Sequence, residues 1–137
     1  MIDFIFDTPF QLSNSKKIIS WIESVIEAEG FETGEITYTF CDDDSLYKIN
    51  VEYLGHDTLT DIISFDYVSG KQVNGDIFIS VERVKNNAEE FGVSFDNELL
   101  RVIIHGILHL VGYKDKTEKD TALMREKENL YIGLFEA

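Results

Sequence analysis

The stretch RVIIHGILHLVGYKD, from Arg101 to Asp115, combines an apolar helical pattern with two histidines and a carboxylate. His105 and His109 are four residues apart, so on a helix their side chains lie about 40° apart on one face. Gly112 stands where such a helix would end, because glycine accepts the left-handed conformation that terminates helices. The chain can then double back and present Asp115 as a third ligand. We therefore predict a metal site made of His105, His109 and Asp115.

The same helix carries a polar stripe on an apolar surface. At about 100° per residue its polar positions fall within an arc of roughly 80°, and they are Glu98, Arg101, His105 and His109. A helix that is apolar nearly all round is buried, and buried polar groups cost free energy unless they are paired. Glu98 can pair with Arg101, and one metal ion can satisfy both histidines.

An open coordination position would make such a site catalytic. His56 is another candidate for the third ligand, but the short run of chain after the helix favours Asp115. Three protein ligands leave an open position on a metal such as zinc, and water there becomes a nucleophile near neutral pH. The HExxH metalloproteases place a general-base glutamate next to the first histidine, where this chain has Gly106. The sequence thus disfavours a metalloprotease. Any general base comes from elsewhere in the fold, or the metal-bound hydroxide acts without one.

Composition points to one globular domain spanning residues 1–137. The 137 residues are 44% hydrophobic and 28% charged, which is usual for such a domain. No apolar run approaches the roughly 20 residues of a membrane span, and the start MIDFIFDTPF lacks the basic residues of a secretory signal. With Cys41 as the single cysteine, this predicts a cytoplasmic protein. The net charge of −14 argues against broad non-specific nucleic-acid binding, which needs lysine and arginine.

Periodicity and turn signals predict an α+β domain with a small mixed sheet of about four strands and about five helices. The predicted strands are Ile2–Phe6, Glu35–Phe40, Ile62–Phe65 and Asp76–Ser80. The predicted helices run from Ser13 or Ser15 to about Glu29, Ser45 to about Glu52, Val81 to about Phe91, Ser94 or Asp96 to about Val111, and Thr117 to about Leu134.

Two finer expectations concern the hairpin and the last helix. Asn74-Gly75 is a strong turn signal, so we expect an antiparallel hairpin with its tip at Gly70–Gly75. The last helix is expected to turn four apolar residues towards the core, namely Ala122, Leu123, Leu130 and Leu134. The metal site then lies on a central buried helix, the fourth of the five.

HGILHLVGYKD resembles the HGxLHLxGYDH signature of the YbeY family of metal-dependent endoribonucleases. Upstream, Asn50-Val51-Glu52-Tyr53 followed by Asp57, then Thr60-Asp61-Ile62-Ile63-Ser64-Phe65, is similar to the family's N-x-x-aromatic…D-x-x-T-D-V-L-S-F stretch. Gly75-Asp76-Ile77-Phe78-Ile79-Ser80 is similar to its GDI-x-IS strand, and Glu98 precedes the histidine helix at the expected distance. These matches run in order from about Asn50 to Asp115.

The resemblance implies a zinc-type ion held by three residues and a role in ribosomal RNA maturation, especially at the 3′ end of small-subunit RNA. It also implies ribosome quality control in the bacterial cytoplasm, with ribosomal RNA precursors and the small subunit or its proteins as partners, and no membrane. Polar residues that could line the cleft are Thr60, Asp61, Ser64 and Arg101. Thr60 and Asp61 can equally form a turn, and Ser64 can cap local backbone groups.

Two positions depart from the family pattern. Asp115 stands where the family usually has histidine, and a carboxylate admits harder ions such as manganese more readily. Leu54 stands where the family usually has an arginine that contacts RNA phosphate. Substitutes for that cation are Arg101, Lys114, Lys116 or a partner protein.

Two other functional classes stay open at this point. The first is a non-catalytic ribosome-assembly factor whose metal only braces the fold, which Leu54 and the net charge of −14 motivate. The second is a non-haem iron oxygenase, because two histidines and a carboxylate can also hold iron(II). Nothing else in the sequence points to a co-substrate site for an oxygenase.

Overall fold

A computed structural model describes residues 1–56 and 58–137 and confirms the predicted α+β fold with four strands and five helices. The strands are β1 (Ile2–Phe6), β2 (Glu32–Cys41), β3 (Ile62–Asp66) and β4 (Gln72–Ser80). The helices are α1 (Ser15–Ala28), α2 (Asp43–Leu54), α3 (Val81–Phe91), α4 (Phe95–Leu110) and α5 (Glu118–Glu136). None of these helices is both long and apolar enough to cross a membrane.

The four strands form one mixed sheet in the order β1-β2-β4-β3. β2 pairs in parallel with β1 and with β4, whereas β3 pairs antiparallel with β4. The prediction of a mixed sheet containing one antiparallel hairpin is therefore confirmed.

The sheet separates two unequal apolar layers. Because successive strand residues point to opposite faces, Ile77 and Ile79 of β4 face the main core, while Phe78 faces a smaller cluster. The main core contains side chains of α1, α4 and α5, and the smaller cluster contains Leu46 of α2. α4 is thus enclosed between the sheet and other helices, which explains its nearly continuous apolar sequence.

Two glycines let α4 lie directly on the sheet. A Cβ atom at Gly106 would be 3.0 Å from Ile62 Cδ1 and 3.1 Å from Ile77 Cδ1. A Cβ atom at Gly75 would be 2.8 Å from the Phe65 carbonyl oxygen and 2.9 Å from Leu110 Cδ1. Gly106 therefore faces the sheet for a packing reason, and the polar stripe occupies a different side of α4, centred about 100° around the helix.

The predicted turn at Asn74-Gly75 is wrong, because both residues lie within β4. The chain turns earlier, at a bridge between Ser69 and Gln72, and Gly70 there has φ +58°. The Asn74 side chain accepts a hydrogen bond from the Glu35 backbone N–H at 2.8 Å, and Gly75 is required by the contact with α4. This Asn-Gly pair thus reflects side-chain bonding and packing within a strand.

The face of α5 that packs on the core also differs from the prediction. Leu123, Leu130 and Leu134 are 43%, 51% and 61% exposed, and Ala122 is exposed as well. The buried residues of this helix are Met124, Glu128, Tyr131 and Ile132. This orientation of α5 matters for the site, because it points the side chain of Glu128 towards the protein interior.

Acidic residues begin α2 for structural reasons. The Asp42 side chain accepts a hydrogen bond from the Ser45 backbone N–H at 2.8 Å and caps the helix. Asp43 accepts hydrogen bonds from Ser80 Oγ at 2.6 Å and from Arg83 at 2.9 Å. Asp42 and Asp43 therefore need no metal ion to explain them.

Candidate metal centre and adjoining cleft

His105, His109 and Asp115 converge beside a surface cleft. One potential ligand atom from each residue lies within 4.8 Å of the others. Asp115 Oδ2 lies 3.4 Å from His105 Nε2 and 3.2 Å from His109 Nε2. The structure thus brings together the three residues that the sequence predicts as ligands, and His56 lies on an exposed segment outside this group.

The turn after α4 brings Asp115 back to the histidines. Gly112 has φ +107°, a conformation that L side chains rarely adopt. The next residue, Tyr113, donates its backbone N–H to the Leu108 carbonyl at 2.9 Å. Beyond the turn, Thr121 Oγ1 on α5 donates to the Asp115 carbonyl at 3.0 Å. The predicted reversal at Gly112 is therefore present, and α5 holds its far end.

Each histidine uses its other ring nitrogen to contact the protein. His105 Nδ1 lies 2.7 Å from Glu128 Oε2, and His109 Nδ1 lies 3.0 Å from the Tyr113 carbonyl oxygen. Because a carboxylate and a carbonyl accept hydrogen bonds, they favour the tautomer that carries its proton on Nδ1. The Nε2 lone pairs of both rings are then directed towards Asp115, which is the arrangement that metal-binding histidines use.

Glu128 is itself held by α4. Its Oε1 accepts a hydrogen bond from Arg101 Nη1 at 3.0 Å, and Arg101 Nη2 donates to Asn129 Oδ1 at 2.9 Å. The expected pairing of Arg101 with Glu98 is not the one observed, because the inward turn of α5 places a better-positioned carboxylate beside the guanidinium. Glu128 therefore contacts both Arg101 and His105, one with each of its carboxylate oxygens.

These contacts set the ionisation of the His105–Glu128 pair. Burial favours the neutral form of the Glu128 carboxyl, but hydrogen bonds from His105 and Arg101 outweigh it and lower the pKa of Glu128. Burial likewise disfavours the charged imidazole, but Glu128, Asp115 and Asp61 together raise the pKa of His105. Glu128 is therefore an ionised carboxylate, and it can accept a hydrogen bond from the Nδ1–H group of His105.

A hydrogen-bond network anchors the region around the site to α1. The Glu29 carboxylate accepts hydrogen bonds from the hydroxyls of Tyr113 and Tyr131, and Lys127 Nζ lies 3.5 Å from the same carboxylate. Trp21 Nε1 donates to the Tyr131 carbonyl at 2.8 Å. Tyr113 precedes Asp115 by two residues, so the network fixes both the ligand turn and α5.

The cleft beside the triad has a volume of about 350 Å³, and several acidic groups line it. Its lining includes Asp61, Glu98, Arg101 and Arg125 as well as His105 and Asp115. Burial raises the pKa of the Asp61 carboxyl, although His105 and a 3.3 Å hydrogen bond from Asn87 partly offset it. Burial and the neighbouring Asp61 also raise the pKa of Glu98.

The remaining sequence candidates lie outside this lining. Thr60 Oγ1 donates to the Ile62 carbonyl at 3.4 Å, a local contact that fits the turn interpretation, and Ser64 belongs to β3. Asn50 donates to the Thr58 carbonyl at 2.8 Å and closes the loop after α2. Leu54 is 43% exposed at the end of α2. Asp57, which belongs to the family-like stretch, lies outside the described residues.

Sequence reasoning missed three polar residues of α5 that border the site, namely Thr121, Arg125 and Glu128. A signal for Glu128 existed, because Met124, Glu128 and Tyr131 follow helical spacing and the glutamate interrupts an otherwise apolar stripe. No comparable signal marks Thr121 or Arg125, since both are exposed polar residues on a largely polar helix.

The donor set fits a divalent ion. Two imidazole nitrogens and one carboxylate oxygen are the donors of many mononuclear zinc sites. Ligands held about 2.0–2.1 Å from a tetrahedral ion lie about 3.3 Å apart, and the two nitrogen–oxygen distances here are 3.4 and 3.2 Å. Both outer ring nitrogens are already bonded to protein acceptors, so all three donors are oriented before an ion arrives.

Comparison with known proteins identifies the family of this chain. The model of the family described as "Endoribonuclease YbeY" matches residues 7–135. A protein named Endoribonuclease YbeY from Flavobacterium johnsoniae is 57% identical over 98% of this chain and 97% of its own length. One of the same name from Christiangramia forsetii is 53% identical over 98% of this chain and 94% of its own length.

A solved structure shares the fold. The solution structure of TM1509 from Thermotoga maritima superposes with a TM-score of 0.65 at 29% identity, covering 98% of this chain and 89% of the other. Family match, sequence identity and fold therefore agree, and the chain belongs to the YbeY family of endoribonucleases.

Proposed function

We propose that the protein is a metal-dependent endoribonuclease that matures ribosomal RNA precursors, especially the 3′ end of small-subunit RNA. It would act in the cytoplasm, contribute to ribosome quality control, and contact the small subunit or its proteins. The observation that supports this most strongly is the convergence of His105, His109 and Asp115 beside a cleft. Membership of the family, whose members carry the name endoribonuclease, supplies the class of reaction.

Zinc is the ion that we propose for the site. Imidazole nitrogens suit zinc, and three protein ligands leave a position for water or substrate. Asp115 contributes a negative charge where the family usually has a neutral histidine, so manganese is the principal competitor. His105, His109 and Asp115 would hold the ion directly.

A divalent ion held there supplies Lewis-acid chemistry, which lowers the pKa of water and polarises a phosphoryl oxygen. The residues of the chain prepare that chemistry by orientation. Arg101 keeps Glu128 ionised, and Glu128 keeps the His105 proton on Nδ1. The Tyr113 carbonyl does the same for His109. Gly106 faces the sheet, so no side chain at that position serves as a general base.

Metal content and RNA cleavage, measured together, test the proposal. The wild-type protein is expected to bind one divalent ion and to cleave single-stranded regions of a ribosomal RNA precursor fragment. His105→Ala and Asp115→Ala should lose both properties, because each removes a ligand. Glu126→Ala on the exposed side of α5 is the matched control and should keep both.

The outcomes separate the competing functions. If the two ligand variants lose the ion yet cleave RNA at the wild-type rate, the metal site is not the catalytic site. If wild-type protein binds the ion and a ribosomal protein but cleaves no RNA, the protein is a ribosome-assembly factor with a structural metal.

A further inference from the structure

One stripe of α5 faces the metal-ligand cluster. Thr121, Arg125 and Glu128 are spaced four and three residues apart, which places them on one side of the helix. Thr121 Oγ1 donates to the Asp115 carbonyl at 3.0 Å, and Glu128 Oε2 lies 2.7 Å from His105 Nδ1. Arg125 therefore lies between two residues that each contact a proposed metal ligand.

Arg125 is the member of this stripe whose polar group is available. Its side chain is 59% exposed, and its ion pair with Glu128 Oε1 is long, at 3.9 Å. That oxygen already accepts a 3.0 Å hydrogen bond from Arg101. Over residues 1–56 and 58–137, no closer ion pair involves Arg125. Arg101, in contrast, is only 18% exposed and uses both terminal nitrogens in the protein.

Because the cleft is lined by several acidic groups, a polyanionic ligand needs a cationic side chain there to bind. The cleft wall carries the carboxyl groups of Asp61, Glu98 and Glu128, and the protein as a whole has a net charge of −14. A nucleic-acid strand binds through phosphate contacts to lysine and arginine. Leu54 cannot supply that contact, and Arg101 is already engaged, so Arg125 is the guanidinium in the cleft lining that remains.

We propose that Arg125 binds a phosphate of the RNA strand next to the phosphodiester held at the metal site. This rests on the proposed function, since it assigns the RNA a path across the cleft. A guanidinium can donate two parallel hydrogen bonds to a phosphate. Arg125 is about one helical turn, or roughly 5.4 Å along the axis, from each residue that contacts a ligand. The contacted phosphate is therefore a neighbour of the reacting one, and Arg125 is a substrate-positioning residue.

The experiment compares Arg125→Gln, Arg125→Lys and the wild type. Lys16→Gln is the matched control, because Lys16 is exposed on α1, outside the cleft lining, and its loss changes the net charge equally. Binding of fluorescein-labelled single-stranded RNA is measured by anisotropy on metal-free protein over a range of salt concentrations. Initial cleavage rates are measured on zinc-loaded protein, with zinc content and melting temperature recorded for each variant.

Arg125→Gln should weaken RNA binding about 5- to 20-fold, raise KM to a similar extent and change kcat less than about threefold, because the lost interaction is a ground-state contact. The dependence of log Kd on log salt should become shallower by about 0.7, the value of one phosphate contact on a single strand. Arg125→Lys should recover the salt dependence but only part of the affinity, since lysine lacks the planar fork. Lys16→Gln should behave like the wild type, and zinc content should not change.

Other outcomes overturn the assignment. If wild-type protein binds and cleaves RNA while Arg125→Gln matches it in Kd, KM and salt dependence, Arg125 contacts no phosphate. If Lys16→Gln weakens binding as much as Arg125→Gln, only overall charge matters. If kcat alone falls, Arg125 does not act through ground-state binding. If wild-type protein neither binds nor cleaves RNA, this inference and the proposed function both fail.

Discussion

Two buried glutamates that line the same cleft have opposite surroundings. Glu128 and Glu98 are each only 5% exposed, and both line the cleft. Glu128 contacts His105 and Arg101 at 2.7 and 3.0 Å, and these contacts lower its pKa. For Glu98, the part of the chain that the structure describes shows no hydrogen bond or ion pair to the carboxyl group, and its pKa is raised by burial and by Asp61.

Burial favours the neutral form of both carboxyl groups, so the direction of each pKa shift depends on which charged groups the helices bring close. The difference shows how neighbouring groups decide whether a buried carboxyl holds its proton more or less tightly. α4 and α5 bring an imidazole and a guanidinium to Glu128. Near Glu98, Asp61 adds a second acid, and Arg101 acts on Glu98 only from a distance. Glu98 therefore holds its proton more tightly than a free glutamate, and Glu128 holds its proton less tightly.

Removing one of the proposed metal ligands should have the largest effect on zinc affinity. Asp115→Ala takes away one of three proposed donors, so zinc affinity should fall by more than the roughly 10- to 100-fold typical of an outer partner. Asp115→His restores the usual residue of the family and should retain zinc with a higher preference over manganese, because imidazole suits zinc and carboxylate suits manganese. Competition with a chromophoric chelator measures both affinities. An Asp115→Ala protein that binds zinc within about threefold of the wild type would show that Asp115 is not a ligand.

Neutralising Glu128 should have the next largest effect. In Glu128→Gln a single amide oxygen can accept from His105 or from Arg101, but not from both as the carboxylate does. We expect zinc affinity to fall about 10- to 100-fold and the free energy of unfolding to fall by about 1.5–3 kcal/mol, the contribution of hydrogen bonds to a charged group. Chelator competition and urea denaturation of the metal-free protein measure the two quantities. Glu126→Gln on the exposed side of α5 is the control, and equal zinc affinities for both variants would contradict the positioning role of Glu128.

The pH dependence of the contribution of Glu128 to stability can be tested in the same variant. Its pKa is lower in the folded protein, so its contribution is fully present above the ordinary glutamate value of 4.5 and disappears as pH falls through the folded pKa. The stability difference between Glu128→Gln and the wild type should therefore be largest near neutral pH and shrink in acid.

The candidate metal site was predictable from sequence only in part, because some of its contacts join residues close in the chain and others join distant ones. His105, His109 and Gly112 can be read from local spacing, since a helix places residues i and i+4 on one face. Glu128 is 23 residues from His105 in sequence, so their contact depends on how α5 rotates against α4. The leucines of α5 formed a competing apolar stripe, and choosing it placed Leu130 inside and Glu128 outside.

The sheet was also predictable from the local sequence only in part. The segment Asp76–Ser80 was predicted as a strand of an antiparallel hairpin, and its pairing with β3 is confirmed. The pair Asn74-Gly75 misled the prediction of the turn, because Gly75 is needed for contact with Leu110 of α4. That requirement comes from Leu110, which lies 35 residues further along the chain, and it leaves no local mark in the sequence.

Neutralising Glu98 should have the opposite effect on stability. Its pKa is raised on folding, so the folded protein is disfavoured as pH rises above the ordinary glutamate value of 4.5 and the buried group ionises. Glu98→Gln should therefore match the wild type near pH 4 and become more stable by on the order of 1 kcal/mol at pH 7, since burying an unpaired charge is costly. Urea denaturation of metal-free protein at several pH values measures this. A loss of stability at pH 7 would mean that Glu98 has a partner that keeps it charged.

The smallest effect should come from Asn129, which contacts Arg101 from the outer side. Its Oδ1 accepts a 2.9 Å hydrogen bond from Arg101 Nη2 at an exposed position. Asn129→Ala leaves the pair between Arg101 and Glu128 intact, so stability should fall by only about 0.5 kcal/mol and zinc affinity should change less than threefold. The zinc affinities of Asn129→Ala and Glu128→Gln, both measured by chelator competition, show which interaction orients His105. If Asn129→Ala weakens zinc binding as much as Glu128→Gln, the orientation of the guanidinium holds His105; if it does not, the charge of the carboxylate does.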